Sequence, residues 1–321
     1  MTSKIYPLKY VQSVSISFFR NWIAITGLIL LFASQNLKAV RYEKDTLIRD
    51  RAGQSNYEFS NCIYTTEDSI IFSQLVKKAL ESNWHTLTFQ EVIEKVATHF
   101  LEYPYKAGTL ENEGKEALII NLREFDCTTF IENVIVISQN ISNQKFSFRE
   151  YCDQLKTIRY REGIIDRYPS RLHYFSDWLY DNEKKDLIEI IEFPGISVTL
   201  KKDINFMSTH TDSYNKLGNP NFADEIKHQE KAINKRDFRY IPQEKIDQAA
   251  SGIKPGDLIA ITTSIDGLDI MHTGLAIKIN GKVHLIHASS VSERITISDK
   301  SLHDKINDNK LMSGIVVARV N

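Results

Sequence analysis

Glycine and proline are sparse in this chain of 321 residues, at 13 and 7. That excludes a collagen-like or low-complexity polymer. Cysteine is sparser still, at three, too few for a disulfide-dense mini-scaffold. A surplus of positive charge is missing as well. Residues 1–39 carry Lys4, Lys9, Arg20 and Lys38 and no acid, and setting these four aside leaves 36 basic against 41 acidic residues, a net charge of −5. A body of that sign is poorly suited to nucleic acid, which needs a basic surface. Internal repeats, long Gly/Ser/Pro linkers and unbroken apolar runs of membrane-spanning length (~20 residues) are absent from the sequence too. What remains, 42% hydrophobic and 25% charged residues, is the composition of a globular protein with a core. The length allows one large domain or two ordinary ones.

The N-terminal 39 residues read as a targeting segment. Residues 22–33, WIAITGLILLFA, are uncharged and follow a basic, acid-free stretch. The run is short for a membrane span and fits the apolar region of a secretory signal, with cleavage after Ala33 or Ala39. No cysteine follows closely enough for a lipoprotein anchor. The competing readings are a buried helix or an uncleaved anchor, and only the anchor would make the membrane a partner. The expectation is export to the periplasm or cell envelope, with secretion also open. Cys62 and Cys152 could pair in that oxidising space, leaving one thiol over.

Helical patterns come next. Residues 66–84 carry Ile70, Ile71, Leu75, Ala79 and Leu80 on one stripe. Residues 88–102 open with Thr88 and Glu91, a capping box, and Tyr103-Pro104 ends them. Residues 127–138, 151–162 and 172–182 also read as helices. Residues 196–245 are irregular, with a strand at 196–200 and a charged helix near 222–234. From Gly256 the pattern turns to strands, at 257–262, 273–279, 283–288 and 315–320. Helices first and strands last indicate an α+β fold.

Cys127 lies where one helix begins, with Asp126 in the cap position. Free N–H groups and the partial positive charge there stabilise a thiolate and an oxyanion. A buried structural cysteine is the plain alternative. Asn280-Gly281 between two β runs is a hairpin signal. A two-residue turn pairs Ile279 with Lys282, so Gly274 faces His287 and His272 faces Ser289. His272 and His287 then share one face as diagonal neighbours, ~7–8 Å apart at the backbone. His284 falls on the other face. Two such histidines could be a metal pair, a core pair, or a base with the group that orients it. No spacing in the chain completes a zinc shell, so neither metal nor other cofactor is expected.

These residues resemble the NlpC-type papain-like cysteine hydrolases of bacterial cell walls: Asp-Cys at a helix start, His-x-Gly on a strand, then Ile-His-Ala after a tight turn. The resemblance implies Cys127 as nucleophile, His272 as base and His287 as its orienter. Pro104-Tyr105-Lys106-Ala107-Gly108 matches the family's Pro-Tyr-x-x-Gly, without its second Gly. Asp126-Cys127-Thr128-Thr129 stands where Asp-Cys-Ser-Gly is usual. The N-acetylmuramoyl-L-alanine amidase-like branch is a closer likeness, carried by 108–111, 125–132, 168–175, 205–208, 267–274 and 287–290. It implies a papain-like fold, N-terminal helices with the nucleophile helix packed on a C-terminal antiparallel sheet. Three regions are expected: a signal segment at 1–39, a lead-in with a first helix at 40–84, and an amidase domain at 85–321, where the resembling segments lie, with an insertion near 196–245.

The same resemblance implies hydrolysis of the amide between N-acetylmuramic acid and L-alanine, with peptidoglycan or a muropeptide as partner. Tyr105 and Asp126 would help form the pocket, although Asp126 could equally be a plain cap. Thr128 and Arg171 are further substrate-side candidates. Arg171 and His173 could read a sugar or carboxylate, or form a structural cluster. Tyr174, Phe175 and Trp178 read as core. Rival activities are cleavage of a D-glutamyl bond in the stem peptide, acyl transfer to or from lipids, and non-catalytic wall binding.

Overall fold

The structure, a computed structural model, describes residues 62–321. The expected signal segment at 1–39 and the lead-in as far as residue 61 lie outside the described residues.

The first half is built from α1 (Thr66–Glu81), α2 (Phe89–His99), α3 (Cys127–Ser142), α4 (Phe148–Arg159) and α5 (Phe175–Lys184). Reciprocal capping boxes open the first four, at Thr65/Asp68, Thr88/Glu91, Asp126/Thr129 and Ser147/Glu150. Each satisfies two backbone donors that a helix start otherwise leaves open. The stripe expected on α1 is corrected. Phe72, Leu75, Val76 and Ala79 are buried, while Ile70 is 46% exposed. The cause is Asp68, fully buried on the same face. Its Oδ2 accepts from the Thr65 N–H at 2.8 Å, and its Oδ1 accepts from the Leu122 N–H at 2.8 Å and Arg123 Nε at 3.1 Å. The helix is turned to keep that carboxylate bonded, and the bonds fix the chain that leads into Cys127.

Strands β1 (Cys62–Ile63) and β2 (Leu118–Ile119) form a short parallel pair. The large sheet comprises β3 (Ile188–Ile190), β4 (Val198–Thr199), β5 (Arg239–Pro242), β6 (Leu258–Thr263), β7 (Ile270–Ile279), β8 (Lys282–Ser289), β9 (Arg294–Ile297) and β10 (Met312–Val320). Its order is β4-β5-β10-β6-β7-β8-β9, with β3 also on β10. Every pairing in this sheet is antiparallel. The fold is thus mixed α and β, with helices against an antiparallel sheet. The strand expected at 196–200 shrinks to Val198–Thr199. β3, β5 and β9 escape the sequence reading because strands of three or four residues hold too few alternations to register. Between β4 and β5 the chain forms α6 (Pro220–Ile233), whose Ile226 and Ile233 pack with Ile204, Met207, Leu217, Tyr168 and Tyr174 in a small core. The last helix, α7 (Leu302–Asn307), tucks Leu302 and Ile306 against Val283, Leu285 and Ile315.

Helix α3 packs on β7 and β8 and on α2 and α4, and is buried all round from Thr129 to Ile141. Ser138 and Asn140 on it find no hydrogen-bond partner, but a buried charge must find its partner inside. Glu132 does so with Arg159 of α4, at 2.7 Å, both 2% exposed. Its other oxygen accepts from Trp178 Nε1 at 3.1 Å. Removing one member of a buried pair strands the other's charge, at a cost of about 3–5 kcal/mol. Glu132→Ala should lower stability by that amount in urea unfolding. Glu132→Leu with Arg159→Met should recover most of it. A single variant as stable as the parent would show that the pair does not hold α3.

Candidate active site

The Asn280-Gly281 turn takes the two left-handed conformations a two-residue hairpin needs, with φ of +50° and +78°. The pairings Ile279↔Lys282, Ile277↔His284 and Leu275↔Ile286 follow in register. One step on, a Cβ added at Gly274 would come within 3.2 Å of the His287 Cβ. Glycine at 274 is thus what leaves room for the imidazole. His272 and His287 meet on one face, with Nε2 of His272 2.7 Å from Nδ1 of His287 and the rings nearly perpendicular. His284 points elsewhere, its Nδ1 2.9 Å from the Ser298 carbonyl.

Cys127 begins α3. Asp126 Oδ1 accepts from the Thr129 N–H at 2.8 Å, and the Asp126 N–H donates to Thr129 Oγ1 at 3.0 Å. Thr273, next to His272 on β7, donates its hydroxyl to the Cys127 carbonyl at 2.9 Å. Thr273 and Thr128 also stand near the Cys127 thiol and moderate the rise in its pKa. The nucleophile candidate is therefore tied to the residue adjoining the base candidate. Sequence reasoning passed over Thr273, although alternation along β7 places it on the face opposite His272, toward α3.

Tyr105 arrives by a different route. The Tyr103 carbonyl and Glu102 N–H pair with Ile295 of β9 at 2.8 and 2.9 Å. The Phe125 N–H then donates to Pro104 O at 3.0 Å, and the Lys106 N–H to Phe125 O at 2.9 Å. Pro104-Tyr105 is thereby laid between the sheet edge and the Cys127 loop. Burial raises the Tyr105 phenol's pKa, with the Cys127 and Asp126 charges adding to it. Tyr105, Asp126, Thr128 and Thr273 thus adjoin Cys127, while His272 and His287 pair with each other on the other face of β7.

Arg171, a further substrate-side candidate, is engaged elsewhere. It is 5% exposed. Its Nη1 donates to Leu110 O at 2.7 Å, its Nη2 to Glu111 at 2.6 Å, and its Nε lies 3.7 Å from Glu116. The guanidinium is committed to anchoring the 108–116 strap. His173 is likewise structural, its Nε2 bonded to Tyr168 O at 2.9 Å. Tyr174, Phe175 and Trp178 are buried in the core, as the sequence indicates.

The electrostatics reverse one expectation. A helix start should favour the thiolate, yet burial pushes the Cys127 thiol up to about 11, with the Asp126 carboxylate adding to the rise. Burial pushes His272 down to about 4 and His287 to about 3. The half-buried Lys305 ammonium on α7 lowers both further. Lys305 stands outside every sequence motif and carried no signal. Cys127 and His272 each keep a partly exposed edge, whereas His287 is 3% exposed. Water at that edge relieves part of the penalty, but both shifts favour a neutral thiol and a neutral imidazole. Among the described residues no group of three or more His, Cys, Asp or Glu side chains is arranged to hold a metal ion.

Residues 95–315 match the AmiA-like family, described as N-acetylmuramoyl-L-alanine amidase-like. An N-acetylmuramoyl-L-alanine amidase from Bacteroides uniformis is 34% identical, with a TM-score of 0.69 over 73% of this chain and all of that one. A Bacteroides fragilis protein named provisionally as a xylanase is 37% identical, with a TM-score of 0.67 over 70% of this chain and 99% of that one. A Legionella pneumophila protein, 20% identical with a TM-score of 0.58 over 79% of this chain and 94% of its own, shares the fold. No curated protein sequence matches significantly.

The buried imidazoles make stability depend on acidity. His173, His272 and His287 are held down to about 3, 4 and 3, whereas unfolded histidine titrates near ~6.5. As pH falls below that value the unfolded chain binds protons first. Stability contributed by these groups is therefore full above ~6.5 and drains away as pH falls toward 4. The urea midpoint should drop steadily between pH 7.5 and 5. His173→Gln and His287→Gln should each flatten that slope, and a midpoint independent of pH would contradict neutral burial.

Proposed function

The chain belongs to the AmiA-like, N-acetylmuramoyl-L-alanine amidase-like family, and from that premise we propose that it is an exported, cysteine-dependent peptidoglycan hydrolase. It cleaves the amide between N-acetylmuramic acid and L-alanine, on a papain-like arrangement of the NlpC type. The observation that carries this reading is the 2.7 Å His272–His287 contact on the strand whose next residue clasps Cys127.

The chemistry starts from the neutral pair. His272 uses Nε2 toward His287, which leaves Nδ1 to take the thiol proton as Cys127 attacks the carbonyl carbon. Nε2 then carries its own proton and donates it to His287 Nδ1, so His287 fixes the tautomer. A neutral orienter stabilises the resulting imidazolium through its dipole and not through a counter-charge. Of the N–H groups in the first turn of α3, that of Thr129 is taken by Asp126 Oδ1 and that of Phe130 by Asp126 O. Those of Cys127 and Thr128 remain to hold the oxyanion. His272 next protonates the leaving amine, and water attacks the acyl-enzyme with His272 again as base. Tyr105 and Asp126 line the approach. The provisional xylanase name of one relative does not suit this site. Glycoside hydrolysis generally uses two flanking carboxyl groups, and the groups gathered here are a thiol and two imidazoles.

The defining experiment is mass spectrometry of defined muropeptides after incubation with the protein. Release of L-alanine-terminated peptide supports the reading, and cleavage at D-glutamate would replace it with an endopeptidase. Cys127→Ala and His272→Ala should each lose nearly all turnover. His287→Ala should cost less, because water can replace part of an orienter, and His284→Ala should alter stability more than rate. Turnover should survive a strong chelator; loss in EDTA with recovery in zinc would make the histidines metal ligands. The acid limb of kcat/KM should fall near pH 4, where His272 loses its basic form, and a limb at 6.5 would mean an unshifted base.

A further inference from the structure

Two of the three thiols stand apart from the candidate site. Cys62 is on β1 and Cys152 on α4, both unoxidised, and each thiol shifts the other's pKa, Cys62's downward and Cys152's upward. That proximity is one rung of a matched pair. Two residues along the extended segment, the Tyr64 ring packs on Phe148 with centroids 5.0 Å apart. Phe148 precedes Cys152 by four residues on α4, hence on the same helix face. Alternate residues of an extended chain are separated by ~6.6 Å and a four-residue helical step rises ~6 Å. Segment and helix therefore run in step, Tyr64 against Phe148 and Cys62 against Cys152. The same helix also grips β2, the partner of β1, because Arg159 Nη1 donates to the Ile119 carbonyl. The backbone around Cys62 is thus held in place independently of the thiols, with the Ile120 N–H bonded to Ile63 O at 2.9 Å.

We infer that Cys62 and Cys152 form a disulfide when the protein meets a thiol-oxidising disulfide, either a protein oxidant or a small molecule such as oxidised glutathione. Cys62 is the more exposed of the two, Cys152 being 2% exposed. The Cys62 sulfur attacks the external disulfide as thiolate, releasing one thiol and forming a mixed disulfide. Cys152 then attacks the Cys62 sulfur and releases the second thiol. Two thiol protons leave, and the external disulfide takes both electrons. The bond spans a long loop, from 62 to 152, the kind of closure that restrains the unfolded chain most. It pins the start of the described body to α4. It also answers the odd cysteine count, since Cys127 is left as the one thiol that stays reduced.

The test uses the full chain equilibrated with oxidised glutathione, alkylated with iodoacetamide in denaturant and digested without reductant. The expected product is a cross-linked pair of peptides carrying residues 62 and 152, 2 Da lighter than their sum, with Cys127 alkylated. Dithiothreitol should lower the Tm of the oxidised protein by several degrees. Cys62→Ser should abolish both the cross-link and that sensitivity while leaving muropeptide turnover unchanged. Three alkylated cysteines, a glutathione adduct at Cys62 beside alkylated Cys152, or a cross-link to Cys127 would each overturn the inference. The peptide map reads a covalent bond, so its outcome is separate from that of the amidase assay.

Discussion

The ion pair between Glu132 and Arg159 is the constraint on which the rest of the molecule leans. A helix buried on every side has no wet face to set its rotation, and apolar packing alone is tolerant of small turns. The pair, with the Trp178 indole on the second Glu132 oxygen, defines one rotation and one depth for α3. Arg159 also reaches the β2 carbonyl of Ile119, so α3, α4, α5 and β2 are referred to one another through a single carboxylate. Cys127 at the end of α3 inherits its position from that arrangement. Asp68 does related work one step earlier, holding Leu122 and Arg123 just before the nucleophile loop.

Much of this was legible before any coordinates. The Thr88/Glu91 cap and the Asp126 cap are local rules written in side chains three residues apart. The hairpin register follows from Asn280-Gly281, and from it the shared face of His272 and His287. What stayed hidden depends on distant partners. The rotation of α1 is set by Leu122 and Arg123, more than fifty residues away. β3, β5 and β9 are strands because a neighbour's edge is available, not because three or four residues alternate. Lys305 reaches the histidines through tertiary packing, and nothing around it in the sequence points there. Arg171 illustrates the opposite case. Its neighbours suggested recognition, but a guanidinium with three internal acceptors within reach is consumed by them.

The protonation state of the site shows two local rules in conflict. A helix N-terminus lowers a thiol's pKa by a modest, short-range field. Enclosure raises it, and Asp126, which secures that very terminus, adds a negative charge beside the sulfur. The cap that places Cys127 therefore works against its ionisation at rest. Thr273 and Thr128 oppose this and moderate the rise.

The strap at 108–116 extends the logic from chemistry to shape. It leaves the Tyr105 segment and returns at β2, and two cations hold it. Arg171 binds Leu110, Glu111 and Glu116 from one side. Lys216, from the stretch between β4 and β5, donates to Gly114 O and lies 3.4 Å from Asn112 Oδ1 on the other. That stretch is secured in turn through Tyr174, whose hydroxyl donates to Glu230 at 2.7 Å and accepts from the Met207 N–H at 2.7 Å. A segment unreadable as regular structure is thereby tied, through Lys216 and the strap, to the loop that carries Tyr105. Its irregularity is compatible with order because its polar groups close on named partners. Arg171 thus reaches the Tyr105 segment through the strap.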